Sequence, residues 1–215
     1  MKRVKDKESK KKRSIAIILV VVIASSSIGV VFLVNYLTFS NAATPVFELP
    51  IQDLSVVIGV QVFHDNSSIL KDHHGFDFTV ENDTEIFSPI TGKITAVEKK
   101  RMFNDLWIVD VIIRINAKWS MYIAFEPDTY DESLVDAQML NFSVKVGEKV
   151  EQNQLLGILN PAPGAGFAHI HWNVNLHSFL HPNSEDVSPY DYCSESAKIL
   201  MENLCALFGK VPDDS

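Results

Sequence analysis

Residues 168–174 read AHIHWNV and contain two histidines, His169 and His171, separated by a single residue. In a β-strand, residues i and i+2 face the same side about 6.6 Å apart. Both imidazoles can therefore be directed at one point. A His-x-His pair alone is weak evidence for a metal site, so the surrounding sequence decides its meaning.

The chain from residue 76 onward is a series of short apolar segments separated by turn residues. They are FDFTV (76–80), EIFSP (85–89), GKITAV (92–97), LWIVDVIIRI (106–115), SMYIAF (120–125), FSVKV (142–146), QLLGIL (154–159) and HIHWNVNL (169–176). This spacing predicts a mainly β fold, a small antiparallel barrel or sandwich. Residues 126–139 carry five carboxylates without β alternation, which predicts an inserted surface loop.

A second candidate metal motif, His-x-x-x-Asp, lies at residues 73–77 within HHGFDF. Fully extended, His73 and Asp77 would lie about 13 Å apart. A bend at Gly75 would let them converge, and glycine permits such a bend. Two imidazole nitrogens and one carboxylate oxygen form the ligand set of hydrolytic zinc sites, which leave a fourth position for water. His64 and His181 are interpreted as packed or surface residues.

The N-terminus predicts a membrane anchor. Residues 1–13 hold eight Lys/Arg and two Asp/Glu, and residues 14–34 contain no charge. A helix of 21 residues spans about 31 Å, close to the thickness of a bilayer core. The basic cluster then stays in the cytosol, and the C-terminal domain lies outside the cell. Cleavage as a signal peptide is the alternative, but the apolar run is longer than is usual for one.

The remaining 202 residues carry 11 basic and 25 acidic side chains, which argues against nucleic-acid binding. The C-terminus predicts a helix over 194–208 that ends at Gly209, with one apolar stripe formed by Ala197, Leu200, Met201, Leu204 and Leu207. Cys193 and Cys205 would lie about 18 Å apart along that helix, too far for a disulfide.

Five segments follow one another in the order expected of a known family. They are HHGFDF (73–78), EIFSPITGKITAV (85–97), VKVGEKVEQNQLLG (144–157), AHIHWNV (168–174) and DVSPYDY (186–192). In these segments the chain resembles the lysostaphin-like zinc endopeptidases, also called the LytM-type or duplicated hybrid motif family. The resemblance implies one Zn²⁺ in a β groove and cleavage of peptide bonds in peptidoglycan. It also implies His73, Asp77 and His171 as metal ligands, and His169 as the catalytic residue that holds water or stabilises the oxyanion.

With this resemblance, the sequence divides into five parts. These are a basic cytosolic segment (1–13), a transmembrane anchor (14–38), a connector with leading strands (39–69), a metallopeptidase-like β domain (70–192), and a C-terminal helix and tail (193–215).

One position departs from the family pattern. The family carries a second catalytic histidine at a strand end before the VKVG turn, and Phe125 occupies its place here. Phenylalanine neither donates a hydrogen bond nor moves a proton. The adjacent Glu126 is expected to point to the opposite face of the strand. A zinc site can therefore persist while activity is reduced.

Three functions compete at this point. The first is a membrane-anchored extracellular zinc metallopeptidase acting on peptide or peptidoglycan. The second is a catalytically degenerate zinc-binding domain that binds peptide or glycan, or regulates a partner hydrolase. The third is a biotinyl- or lipoyl-like carrier, suggested by SPITGKITAV (88–97) and VKVGEKVEQNQLLG (144–157). This third hypothesis leaves the histidine motifs unexplained, and the sequence shows no obvious modifiable lysine at a hairpin tip.

Overall fold

The computed structural model describes residues 29–65, 73–181 and 183–212. The chain divides into two compact units, Met1–Ala42 and Ala43–Ser215. In the first unit, residues 29–40 form a helix, α1. Residues 14–28 of the predicted membrane span (14–38) lie outside the described residues. Among the described residues, none of the helices has the length and apolar character needed to cross a membrane.

The second unit is mainly β. Its strands are β1 (Val57–Gln61), β2 (Phe76–Val80), β3 (Thr84–Phe87), β4 (Gly92–Arg101), β5 (Trp107–Arg114), β6 (Trp119–Thr129), β7 (Lys149–Val150), β8 (Leu155–Leu159), β9 (Ala168–His177) and β10 (Ser184–Val187). Two α-helices, α2 (Glu132–Met139) and α3 (Glu195–Leu207), and two short 3-10 turns, Leu54–Val56 and Pro189–Tyr192, complete it.

The strands form one large sheet and one small sheet. The large sheet has the order β1-β2-β9-β6-β5-β4-β7, with β10 also paired to β9, and the small sheet pairs β3 with β8. All these pairs are antiparallel. The mainly β, antiparallel prediction is confirmed. Within the described residues the two edge strands, β1 and β7, do not pair with each other. The large sheet is therefore open and does not close into a barrel.

Strand alternation gives the large sheet an apolar face and a polar face. On one face of β9, Ile170, Trp172 and Val174 are completely buried and pack in the main hydrophobic cluster. The intervening residues, His169, His171 and Asn173, point to the other face, as the period of two in a strand requires. Residues on β2 and β6 follow the same alternation. The polar face is therefore assembled from positions that the core does not need.

Two sequence-based expectations in the β region are wrong. Residues 126–139 are not an inserted loop: β6 continues to Thr129, and α2 begins after Asp131, whose side chain accepts a hydrogen bond from the Ser133 N–H. Residues 142–146 do not form a strand, since only Phe142 makes an isolated bridge, to Gly157. The apolar alternation at 144–146 instead precedes a tight turn.

Helix α3 confirms the predicted C-terminal helix but with a rotated apolar face. Ser194 caps its N-terminus by accepting from the Ala197 N–H, and Gly209 follows it with a φ of +67°. Its buried residues are Ala197, Met201, Leu204 and Cys205. Leu200 and Leu207 are 46% and 80% exposed, so their predicted place on the buried stripe is wrong. Cys193 and Cys205 are both free and buried.

Candidate metal centre

Three side chains converge on the polar face of the large sheet. His73 Nε2 lies 3.1 Å from His171 Nδ1. Asp77 reaches both rings, with Oδ1 2.8 Å from His171 Nδ1 and Oδ2 3.1 Å from His73 Nε2. His73 and Asp77 are buried and His171 is half-buried. The two motifs, nearly a hundred residues apart in the chain, therefore meet at one point.

The pairing of β2 with β9 produces this convergence. Asp77 lies directly opposite His171 in the antiparallel ladder. His73 precedes β2, and the chain bends at Gly75 before the strand begins. The predicted bend is confirmed, although the requirement for glycine is steric. A Cβ at position 75 would lie 2.4 Å from His171 Cε1 and 2.9 Å from the Trp172 carbonyl oxygen.

Neighbouring groups orient both imidazole rings. His73 Nδ1 donates to the Val62 carbonyl oxygen at 2.9 Å, which leaves Nε2 directed at the centre. His171 Nε2 lies 3.3 Å from the Tyr122 hydroxyl, and the His171 ring stacks on the Tyr122 ring at an interplanar angle of 28°. Metal-binding histidines characteristically engage the second ring nitrogen in this way. Val62 and Tyr122 were not predicted from the sequence. Val62 acts through its backbone carbonyl, and the position of Tyr122 depends on the register of β6 with β9.

The three donor atoms fit a zinc ion. With Zn–N and Zn–O bonds of about 2.0–2.1 Å, two ligand atoms of a tetrahedral site lie about 3.3 Å apart. His73 Nε2 and His171 Nδ1 lie 3.1 Å apart, close to that edge length. One ligand atom from each of the three residues lies within 4.8 Å of the other two. Two imidazole nitrogens and one carboxylate oxygen are also donors that zinc prefers. The residues present therefore match one zinc ion with three protein ligands.

The charges at this centre are strongly coupled. Burial acts to raise the pKa of Asp77, but hydrogen bonds from His171 and His73 outweigh burial and hold this pKa well below its usual range. Burial acts to lower the pKa of His73, but the hydrogen bond and charge of Asp77, the hydrogen bond to Val62 and the charge of Asp65 together outweigh burial, so the pKa is raised. The carboxylate is therefore ionised between the rings, as a metal ligand must be.

His169 lies beside the three converging residues and forms an ion pair with Glu126, which lies on β6. Its Nε2 is 4.0 Å from Asp77 Oδ2 and 3.1 Å from Glu126 Oε2. Burial acts to lower the pKa of His169, but the hydrogen bond and charge of Glu126 outweigh burial and raise it to about 9. Glu126 was not predicted from the sequence to be a site residue.

The expectation that Glu126 points away from the site is wrong. Glu126 lies opposite His169 and Phe125 lies opposite Ile170 in the ladder between β6 and β9. Phe125 is completely buried in the core, with its ring centroid 4.6 Å from that of Phe142. The two neighbours do point to opposite faces. The site face, however, is the one that carries Glu126.

The other histidines lie outside the three-residue group found among the described residues. His177 Nε2 is 2.7 Å from the Ser120 hydroxyl, further along the same face of β9. His74 Nδ1 lies 3.9 Å from Asp186. His64 is half-buried and His181 is exposed, and neither belongs to this group.

Comparisons with known proteins give structural similarity only. No family model matches the chain, and no curated protein matches it in sequence. A catalytic-domain mutant of the prophage-encoded M23 protein EnpA from Enterococcus faecalis has a TM-score of 0.42 and 16% identity, covering 60% of this chain and 85% of that one.

Two other solved structures are similar at the same level. The antimicrobial peptidase lysostaphin from Staphylococcus simulans has a TM-score of 0.44 and 17% identity, covering 69% of this chain and 55% of that one. A zinc containing peptidase from Vibrio cholerae has a TM-score of 0.42 and 16% identity, covering 66% and 39%. The chain thus spans about half or less of the length of these two structures.

Replacing Gly75 with alanine should weaken metal binding. The added methyl group overlaps the His171 ring and forces it away from His73 and Asp77. We expect zinc affinity to fall at least about tenfold, as for other changes that misplace a ligand. Calorimetric titration with zinc measures this. Gly59→Ala is the matched control, since its Cβ would meet Thr79 at an ordinary 3.5 Å. Equal affinities in both variants would contradict the steric role of Gly75.

Replacing Phe125 with histidine should destabilise the fold without adding a group to the site. The imidazole would be buried against Phe142 with its polar atoms inside the core. We expect the free energy of unfolding to fall by about 2–4 kcal/mol. Chemical denaturation measures this, with Phe103→His as control because Phe103 is 69% exposed. Unchanged stability in Phe125→His would mean that position 125 does not face the core.

Proposed function

We propose that this chain is a zinc metallopeptidase-like protein that hydrolyses peptide bonds of the peptidoglycan type. The observation that supports this most strongly is the convergence of His73 Nε2, His171 Nδ1 and the Asp77 carboxylate within 4.8 Å of one another. The order of the surrounding motifs, which resembles that of lysostaphin-like endopeptidases, supports the choice of reaction and substrate.

His73, Asp77 and His171 would hold the zinc ion. When bound, zinc supplies Lewis acidity, which polarises a carbonyl and activates water near neutral pH. The ionised Asp77 offsets part of the charge of the ion, and the Val62 carbonyl and Tyr122 hydroxyl keep the two rings oriented. His169 directs its Nε2 to the edge of this group. From there the ring lies within reach of a negatively charged oxygen of the reacting peptide.

The polar face beyond the metal centre supplies groups that can bind an extended peptide. Along β6 and β9, this face carries the half-buried residues Tyr122, Asn175 and His177, on positions that alternate with the core residues. Side-chain amides and hydroxyls both donate and accept hydrogen bonds, so they suit peptide N–H and C=O groups. A peptide lying along β9 would cross the metal centre.

The second candidate is a catalytically degenerate zinc-binding domain that binds peptide or glycan or regulates a partner hydrolase. One observation favours it: β6 presents a carboxylate, Glu126, opposite His169, while Phe125, which stands at the place of the family's second histidine, is buried in the core. The metal ligands are the same in both functions. They differ in whether the polar groups around the metal support turnover.

We also propose that the β unit is held outside the cell by an N-terminal membrane anchor. The support is in the sequence, where residues 14–34 are uncharged and follow a segment that carries eight Lys/Arg among thirteen residues. This arrangement favours a cytosolic N-terminus under the positive-inside rule.

The purified full-length chain should bind one zinc ion and cleave peptidoglycan or a glycine-rich peptide. His171→Ala should lose both properties, because it removes one of three protein ligands. His181→Ala is the control, since this exposed histidine lies outside the group. Elemental analysis combined with mass spectrometry of the products measures both. Zinc binding without cleavage would support the degenerate function, and the absence of zinc binding would contradict both.

The full-length chain should sediment with membranes after washes with high salt and alkaline carbonate. A spanning helix resists both treatments, whereas a peripheral protein is released. Deleting residues 1–40 should move the protein to the supernatant. Release of the intact chain by alkaline carbonate would contradict the anchor.

A further inference from the structure

We propose that Glu126 is a positioning residue that holds the His169 ring at the edge of the metal centre. This inference rests on the proposed function and identifies the group on β6 that faces His169.

Register and distance carry the proposal. Glu126 and His169 are direct partners in the ladder between β6 and β9, so their side chains leave the sheet on the same face. Glu126 Oε2 lies 3.1 Å from His169 Nε2, and the same nitrogen is 4.0 Å from Asp77 Oδ2. One imidazole nitrogen thus faces both the positioning carboxylate and a proposed metal ligand.

The contact fixes the direction of the ring. A carboxylate within hydrogen-bond distance of one imidazole nitrogen restricts rotation of the ring. Glu126 thus keeps the Nε2 edge of His169 beside Asp77. A polar ring held in this position lies next to the space where an oxygen of the reacting peptide would gain negative charge.

The environment of Glu126 indicates that stability is not the reason for this carboxylate. Glu126 is only 7% exposed, and among the described residues its one ion pair is with His169. Burying a histidine–glutamate pair costs desolvation, and apolar side chains of similar size are often at least as stabilising. A contact maintained against this cost, beside a metal centre, fits a role in positioning.

The test compares Glu126→Ala and Glu126→Gln with the unchanged full-length chain, with Glu85→Gln as an exposed control on β3. Crystal structures of the zinc-loaded proteins report the orientation of the His169 ring. We expect a single ring orientation in the wild type and in Glu126→Gln, whose amide oxygen still accepts a hydrogen bond. In Glu126→Ala we expect the ring in more than one orientation.

Kinetics and zinc titration supply the second measurement. In Glu126→Ala, kcat should fall about 10–100-fold, in the range seen when an outer partner of a metal site is removed. KM and zinc affinity should change much less, and Glu126→Gln should recover part of kcat. Loss of zinc binding in Glu126→Ala would overturn the proposal, since it would make Glu126 part of the metal site itself.

The two proposals fail in different ways. Wild-type protein that binds zinc without any cleavage contradicts the peptidase function, and the orientation of the His169 ring in the variants then decides the role of Glu126 alone. If the wild type cleaves its substrate while Glu126→Ala keeps both the wild-type ring orientation and the wild-type kcat, Glu126 does not position His169. The peptidase function would stand in that case.

Discussion

The alternation of side chains on β9 is the constraint on which the site depends. Because Ile170, Trp172 and Val174 are fully buried in the core, His169 and His171 must point to the polar face. A slip of one residue in register would exchange the two sets, and burying two imidazoles in place of these apolar side chains would be costly. The same core packing that stabilises the sheet therefore fixes the direction of the imidazoles. Pairing with β2 then brings Asp77 to His171, and the close approach at Gly75 lets His73 complete the group.

A buried carboxylate explains why this group is more than a set of neighbouring polar residues. Asp77 is 6% exposed, and its neighbours lower its pKa in spite of burial. An ionised carboxylate in such a place requires nearby positive charge or hydrogen-bond donors. Two imidazoles supply them in the protein alone, and a zinc ion would do so more strongly. The outer contacts of Val62 and Tyr122 leave His73 Nε2 and His171 Nδ1 directed toward the same point.

Spacing and alternation in the sequence were sufficient to predict the antiparallel β class, the C-terminal helix and the four residues His73, Asp77, His169 and His171, whose side chains lie together. Strand ends and registers were harder to predict. Whether Phe125 or Glu126 faces the site depends on how β6 pairs with β9, and local sequence does not encode this pairing. The acidic residues of 126–139 concealed a strand end and a short helix, because polar composition resembles that of a loop when only one face packs. The apolar face of α3 was predicted with Leu200 and Leu207, whereas the structure buries Cys205 instead, and helical spacing alone does not decide between these adjoining faces.

Phe125 belongs to the core, while its neighbour Glu126 faces His169. A missing histidine at position 125 therefore does not by itself describe the polar groups around the metal centre. The central claim is that one metal ion binds to His73, Asp77 and His171. Anomalous diffraction at the zinc absorption edge, from crystals of the zinc-loaded protein, tests that claim most directly. The account predicts a single strong peak about 2.0–2.1 Å from His73 Nε2, His171 Nδ1 and an oxygen of Asp77. A peak elsewhere, or none at this position in zinc-saturated crystals, would contradict it.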